Sequence, residues 1–274
     1  MLGRRGFELG KLIFVGLGLH DEKGISLRGL EEVKTADNVF TELYTSLLPD
    51  FSLERLEEIA NKKLQVLNRK ELEERNGEIV LKAAETGKAV LLVPGDPMIA
   101  TTHVALRIEA EKRGIKTCIV HGASIVSAVI GLSGLHNYKF GKTVTIPFPS
   151  ETPAETPYET IFQNRKLGLH TLCLLDIKTD EKCYLTIPEA LKALMKVEEK
   201  QKKKVVKLNT LVLGIARAGS ENPAVKAGFL RDVLSYDFGT PPFSLIIPGS
   251  LHFMEAEALI MLADAPKELR ETAK

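Results

Sequence analysis

The chain has 274 residues, 44% of them hydrophobic and 27% charged, the balance of a globular protein with a sizeable core in one large domain or two moderate ones. Lys plus Arg total 37 against 36 Asp plus Glu, a net charge of +1, which argues against nucleic-acid binding driven by an overall positive field. The three cysteines, Cys118, Cys173 and Cys183, form no CxxC pair, so a disulfide framework or zinc ribbon is not expected and they read as small buried hydrophobes in a reducing cytoplasm.

The opening "MLGRRGFELGK" reads as a frayed extension or an early start codon. The apolar run that follows is too short for a membrane span and lacks a cleavage site, so the expected location is cytoplasmic. "KLIFVGLGL" (11–19) is the first strand. "SLRGLEEVKTA" (26–36) spaces Leu27, Leu30 and Val33 as a helix behind Ser26, a good N-cap. A strand at 38–45, a helix at 52–62, a short extended piece at 64–68 and a helix at 70–87, interrupted at Gly77, come next. "AVLLVPG" (89–95) is the clearest strand, and 101–114 is a helix ending on Gly114. A strand at 116–122 and a helix at 124–134 complete a strand–helix alternation that predicts a mostly parallel sheet with helices on both faces.

A break is expected at 136–144, and the four prolines of "PFPSETPAETPYE" (147–159) read as an irregular loop. Beyond it come a strand at 170–178 and a helix at 186–201, with a Thr186/Glu189 capping box and Pro188 in its first turn. A strand at 210–218, a helix at 223–235, a strand at 243–250 and a helix at 252–263 follow. The prediction is therefore two α/β domains with mostly parallel sheets, 1–140 and 141–274. The lysines of "KQKKKVVK" (200–207), balanced by Glu198 and Glu199, read as a solvated helix end and loop.

The candidate site lies where strands end. In "GLGLHD" (16–21), Gly16 and Gly18 permit a tight turn, but Asp21 stands where the dinucleotide fingerprint needs its third Gly. In "PGDP" (94–97) two prolines stiffen a loop that holds Asp96 at a carboxyl strand end, where such sheets place ligands. Two readings of Asp96 stay open: a ligand contact, or a cap on the helix that follows. Thr101 or Thr102 is a candidate N-cap of that helix, and His103 a lone histidine of the structural kind. Ser124 is the expected cap of the next helix. No nucleophile–base–acid trio and no close His/Cys/Asp cluster is visible, so the chemistry expected is group transfer from an activated cofactor, run by positioning.

Taken in order, "FVGLGLHDEKGISLRGLE" (14–31), "PGDPMIATTH" (94–103), "HGASIVSAV" (121–129), "GLHNYKFGKT" (134–143), "GLHTLCLLDIK" (168–178), "ARAGS" (216–220), "DFGTPP" (237–242) and "IPGSLHFMEAE" (247–257) resemble the diphthine synthase family of the tetrapyrrole-methylase fold class. "PGDP" alone marks the wider class; with "ATTH", "YKFG" and "LHTLCLLDIK" the resemblance is specific.

That resemblance implies two α/β domains with the cofactor in the cleft between them. It implies S-adenosylmethionine as methyl donor, S-adenosylhomocysteine as product, and no metal. The acceptor it implies is the 3-amino-3-carboxypropyl group on one histidine of translation elongation factor 2, methylated repeatedly to diphthine. A homodimer is implied as well, with no nucleic-acid or membrane partner. Carried over motif by motif, the cofactor contacts are Leu19, Asp96, Ile99, Ser124, Ile125, Leu175, Ala218 and Phe243. Members usually have His at the position of Phe243; a contact through that imidazole is lost here, one through the backbone is kept. Neither pattern nor family supplies a catalytic base, with His103 and Asp176 as remote candidates. The rival readings are a cobalamin- or haem-pathway methylase of the same fold and a non-catalytic module that binds the elongation factor.

Overall fold

The computed structural model describes residues 10–149 and 153–272, so the expected N-terminal extension and the middle of the proline-rich segment lie outside the described residues. The chain divides into two compact units, one ending at Ser124 and the other beginning at Ile125.

The first unit runs β1 (Lys11–Gly16), α1 (Leu27–Lys34), β2 (Asn38–Glu42), α2 (Leu53–Ala60), β3 (Gln65–Leu67), α3 (Glu78–Thr86), β4 (Lys88–Val93), α4 (Val104–Lys112) and β5 (Lys116–Val120). Local chemistry sets these boundaries. Ser26 and Ser52 accept hydrogen bonds from the N–H groups of Gly29 (3.0 Å) and Arg55 (3.2 Å), as N-caps do. Gly77, in the left-handed region at φ 62°, separates α3 from a single π turn at Lys70–Glu74, so the predicted helix at 70–87 is two pieces.

The five strands form one wholly parallel sheet in the order β3-β2-β4-β1-β5. Both faces are covered, which is why β1 and β4 read as unbroken apolar runs. Leu12, Phe14, Leu91 and Val93 pack with α3 and α4 through Val80, Leu81, Leu106 and Ala110. Ile13, Val15, Val90 and Leu92 point the other way, onto Val33 of α1 and Leu56 and Ala60 of α2. Neighbours β1 and β4 thus send their chains to opposite faces: β1 leads to β2 through α1, β4 to β5 through α4. A crevice at the carboxyl ends of such a pair is where doubly wound sheets bind ligands.

The second unit begins with α5 (Ile125–Ser133), then β6 (Val144–Ile146), α6 (Glu155–Lys166), β7 (Thr171–Leu175), the small pair β8 (Ile177–Lys178) and β9 (Cys183–Tyr184), and α7 (Ile187–Gln201). It continues with β10 (Leu211–Ala216), β11 (Ala224–Phe229), α8 (Leu230–Val233), β12 (Phe243–Ile247), α9 (Phe253–Ala263) and α10 (Leu269–Thr272). The main sheet has the order β11-β10-β12-β7-β6. α6 and α7 cover one face through Tyr158, Ile161, Ile187, Leu191 and Leu194. α5 and α9 cover the other through Val129, Ala256 and Leu259.

Five expectations are corrected here. The second sheet is mixed: only β6–β7 is parallel, while β7–β12, β12–β10 and β10–β11 are antiparallel. The α/β class stands, but "mostly parallel" holds for the first unit alone. The segment read as a helix at 223–235 is mostly β11, a hairpin partner of β10 in register from Leu211↔Phe229 to Ala216↔Ala224; the helical spacing of Leu230, Val233 and Leu234 belongs to the short α8 after it. Part of the loop expected at 147–159 is the start of α6, whose Pro157 sits in the first turn, where the missing N–H has no intrahelical partner anyway. The units part before α5, rather than at 140, because Val129 of α5 is buried in the second unit's core. Cys173 is buried as expected and Cys118 half-buried, but Cys183 is exposed.

The capping box of α7 forms as predicted. At the other end, Lys202 turns into the left-handed region (φ 54°) and the lysine-rich loop folds back onto Glu198. That one carboxylate accepts hydrogen bonds from the N–H groups of Lys204 (2.7 Å), Val205 (2.7 Å) and Val206 (3.0 Å) and from the Tyr158 hydroxyl (2.8 Å). Partial burial opposes its charge, but the four donors hold its carboxyl below the usual range. We expect Glu198→Ala to lower the unfolding free energy by about 1–3 kcal/mol in urea titrations, because it strands these donors near the core.

Candidate active site

Three loops of the first unit meet at the carboxyl edge of its sheet. The loop after β1 is tied to the loop after β4 by a reciprocal pair, Gly95 N–H to Gly18 O (2.7 Å) and Gly18 N–H to Gly95 O (3.1 Å). The loop after β5 closes on both. A Cβ at Gly16 would lie 2.5 Å from Gly122 N and Gly95 O, and one at Gly122 would lie 2.4 Å from Gly95 O. The atoms that block it are backbone, so only glycine permits this approach.

Asp96 occupies the middle of this junction and is 5% exposed. Its Oδ1 accepts the Met98 N–H at 3.0 Å, and its Oδ2 lies 2.7 Å from Nδ1 of His121. The carboxylate therefore folds its own loop and orients an imidazole on the loop after β5; it does not cap α4. Ile99, a little further on, is exposed, and its N–H donates to Asp96 O at 3.3 Å. Leu19 stands just after the Gly18 crossing, and Ser124 closes the loop after β5.

The helix cap expected of Thr101 or Thr102 is not made. The Thr101 hydroxyl donates back to Pro97 O (2.8 Å) and that of Thr102 to Glu73 (3.1 Å). His103 stands at the N-cap position without a capping bond. Its Nε2 lies 3.3 Å from Oε1 of Glu42, which is fully buried and also receives the N–H groups of Tyr44 and Thr45 at 3.0 Å each and the Thr45 hydroxyl. His103 is a core histidine, as the sequence pattern suggests, and not a base.

In the second unit the residues singled out also gather at one end of a sheet. Ala216 pairs with Phe243, and Leu174 with Ser244, so Leu175 at the end of β7, Phe243 at the start of β12 and Ala218 just past β10 share that edge. The Arg217 N–H donates to Pro242 O (2.9 Å), and its guanidinium to Phe238 O (2.7 Å) and Thr240 O (2.9 Å), which fixes the "ARAGS" turn against the "DFGTPP" loop. Asp176 accepts the adjacent Ile177 N–H at 3.0 Å. Ile125 opens α5.

The sequence shows no close His/Cys/Asp cluster. The structure corrects this twice, with Asp96–His121 and with a buried network in the second unit. There Oε1 of Glu255 accepts from the His136 N–H (2.9 Å) and from Nε2 of His170 (2.9 Å). Oε2 accepts from the His252 N–H (2.8 Å) and from the Lys139 ammonium. Nδ1 of His170 accepts the Gly249 N–H at 2.9 Å. Both ring nitrogens are thus assigned, and burial, only partly offset by Glu255, lowers the His170 pKa and keeps the ring neutral. Three of the family-specific stretches, at 134–143, 168–178 and 247–257, meet at this one carboxylate. The signal in the sequence is a histidine in each of them, too far apart to be linked by spacing.

A parallel sheet with glycine-lined strand ends, joined to a mixed-sheet unit, defines the class: the family model of Tetrapyrrole (Corrin/Porphyrin) Methylases matches residues 11–234. The diphthine synthase of Methanosarcina mazei is 50% identical over 270 residues, covering 95% of this chain and 98% of its own. That of Methanocella arvoryzae is 49% identical over 257 residues, covering 92% and 98%. A crystal structure of diphthine synthase superposes with a TM-score of 0.86 at 43% identity, over 96% of this chain and 99% of that one. The chain belongs to the diphthine synthase family and is a methyltransferase of diphthamide biosynthesis.

The Glu255 network makes a prediction. Burial opposes the charge on Glu255, but four donors outweigh it and hold the carboxyl down at about 2, from an ordinary 4.5. A carboxyl depressed in the folded state adds stability above its unfolded pKa and loses it as pH falls through the folded one. In thermal melts the gap between wild type and Glu255→Gln should be widest above pH 4.5 and narrow steadily toward pH 2.

Proposed function

We propose that this enzyme transfers methyl groups from S-adenosylmethionine to the amine of a 3-amino-3-carboxypropyl group on a histidine of translation elongation factor 2, yielding diphthine and S-adenosylhomocysteine. The observation that carries the reading is 50% identity to a diphthine synthase across 95% of the chain. Leu19, Asp96, Ile99 and Ser124 of the first unit, and Ile125, Leu175, Ala218 and Phe243 of the second, are the proposed cofactor contacts.

The residues present suit such a ligand. Among the described residues, the buried polar atoms without a hydrogen-bond partner include His20 Nδ1, beside Leu19, and Ser220 Oγ, two residues from Ala218. A ligand bearing hydroxyl, amine and carboxylate groups satisfies atoms of this kind. When bound, the sulfonium would supply an electrophilic methyl, its transfer leaving a neutral thioether. The chain's own contribution is positional: glycines bring three backbone loops within contact, and Asp96 fixes the geometry of one of them.

In this reading the enzyme works in the cytoplasm as a homodimer on a protein substrate, without nucleic acid or membrane. Among the described residues no helix is long and apolar enough to cross a membrane. Light scattering after size exclusion should give twice the 30.2 kDa chain mass; a lone monomer at micromolar concentration overturns the dimer.

The direct test is intact mass measurement of the modified elongation factor after incubation with enzyme and S-adenosylmethionine. A ladder ending at three methyl groups is expected. A fourth indicates an ester-forming variant, and none at all moves the acceptor elsewhere.

A further inference from the structure

We propose that His121, oriented by Asp96, is the catalytic base that takes the proton from the acceptor amine before each methyl transfer; this rests on the acceptor proposed above.

The chemistry requires a proton acceptor. An ammonium nitrogen has no lone pair. Its N–H bond breaks with the proton going to His121 Nε2 and the pair remaining on nitrogen. That pair forms the new N–C bond as the methyl's C–S bond breaks, leaving its electrons on sulfur. The product still carries N–H protons until the third methyl, so a base is used at every round and three protons leave in all.

The geometry supplies it. His121 is the exposed one of the six histidines, its side chain 72% accessible, while the carboxylate behind it is 5% exposed. Asp96 Oδ1 is taken by the Met98 N–H, and Oδ2 sits 2.7 Å from Nδ1. A carboxylate has only acceptors to offer, so in the neutral ring Nδ1 carries the hydrogen and Nε2 the lone pair. A buried acid that fixes the tautomer of an outward-facing imidazole is the orienting half of the general-base arrangement.

The other histidines are less accessible. His103 binds Glu42 in the core, the buried His170 uses both nitrogens, and the half-buried His20 has its Nε2 3.1 Å from Asp50. His136 and His252 are also half-buried. Nδ1 of His136 meets the Tyr138 hydroxyl at 3.0 Å, and Nδ1 of His252 accepts the Met254 N–H at 3.2 Å. Position agrees as well. His121 follows β5 and Asp96 follows β4, with β1 between them, so the pair spans the carboxyl edge beside the ligand crevice of the sheet. An acceptor carried on a large protein needs a base at an accessible surface, and Asp96 is the charged partner this ring meets.

The test is single-turnover methylation of the modified elongation factor across pH 5.5–9, with S-adenosylhomocysteine binding measured by calorimetry. Wild type should show an acid limb that levels off. His121→Gln should bind S-adenosylhomocysteine with affinity within about threefold of wild type. Its rate at pH 7 should fall about a hundredfold to ten thousandfold, and its rate should climb through the whole range without levelling. Added imidazole should restore His121→Ala. An unchanged rate and profile in His121→Gln overturns the proposal. So does a slower rate with the same pH profile and no imidazole rescue, which marks a structural role. If the His121 variants bind S-adenosylhomocysteine more weakly, their rates are compared at saturating S-adenosylmethionine: a lost plateau with imidazole rescue supports the base, and a wild-type profile overturns it. Wild type that binds S-adenosylhomocysteine but methylates nothing removes the acceptor reading, and this inference with it, whereas a defect confined to the variants leaves that reading intact.

Discussion

The first unit depends on a steric constraint at three points of backbone. Gly16 ends β1 and Gly122 follows β5, and a side chain on either would collide with backbone, that of Gly95 included, while Gly95 itself turns after β4 through the left-handed region at φ 70°. Because no Cβ intervenes, the loops after β4 and β5 close over the end of β1. Because they close, a carboxylate on one reaches an imidazole on the other. The polar chemistry of that edge is therefore a consequence of absent side chains. Electrostatics alone would not bring Asp96 to His121 from strands that are not neighbours.

The second unit solves a different problem with a different device. Its sheet is mixed, and the loop at 134–143, which follows α5, must be anchored to α9 from a distance in sequence. Glu255 does this by collecting two backbone N–H groups, an imidazole and an ammonium around one buried carboxylate. Burying a charge is costly unless every lone pair is used. Here they are used, and the neutral His170 passes the connection on to Gly249. The His170 ring and the backbone at His136 and His252 are, in this chain, structural wiring around that loop.

Much of this was legible in the sequence wherever the cause is local. Ser26, Ser52 and the Thr186/Glu189 box mark helix starts because a cap acts within three residues. The apolar runs at 11–16 and 88–93 announce strands buried on both faces. What escaped was decided by partners far away or by exceptions to local rules. β11 is a strand because β10 pairs with it, although the leucines just beyond it have helical spacing. α6 escaped because prolines read as loop, yet a first turn accepts one. At the site, the position of Asp96 was readable from "PGDP", while its partner His121 was not, since nothing in spacing says that two non-adjacent strand ends touch. The resemblance to the family carried the function further than residue chemistry alone could.

The strand order bears on how the first unit is made. β1 lies between β4 and β5, its partners in the sheet among the described residues, and they come 77 and 105 residues later in the chain, Lys11 pairing with Lys88 and Lys116. During synthesis the segment "LIFV" therefore exists for most of the unit's length with neither neighbour, its two apolar faces open and its backbone donors unpaired. Loop closure over that distance must precede any gain from pairing. Such a strand is a natural target for chaperones, or for misplaced pairing with another nascent chain. The hairpin of β10 and β11, whose strands are separated by seven residues, carries no such delay. The two halves of the enzyme thus enter folding on different clocks, the older strand waiting longest.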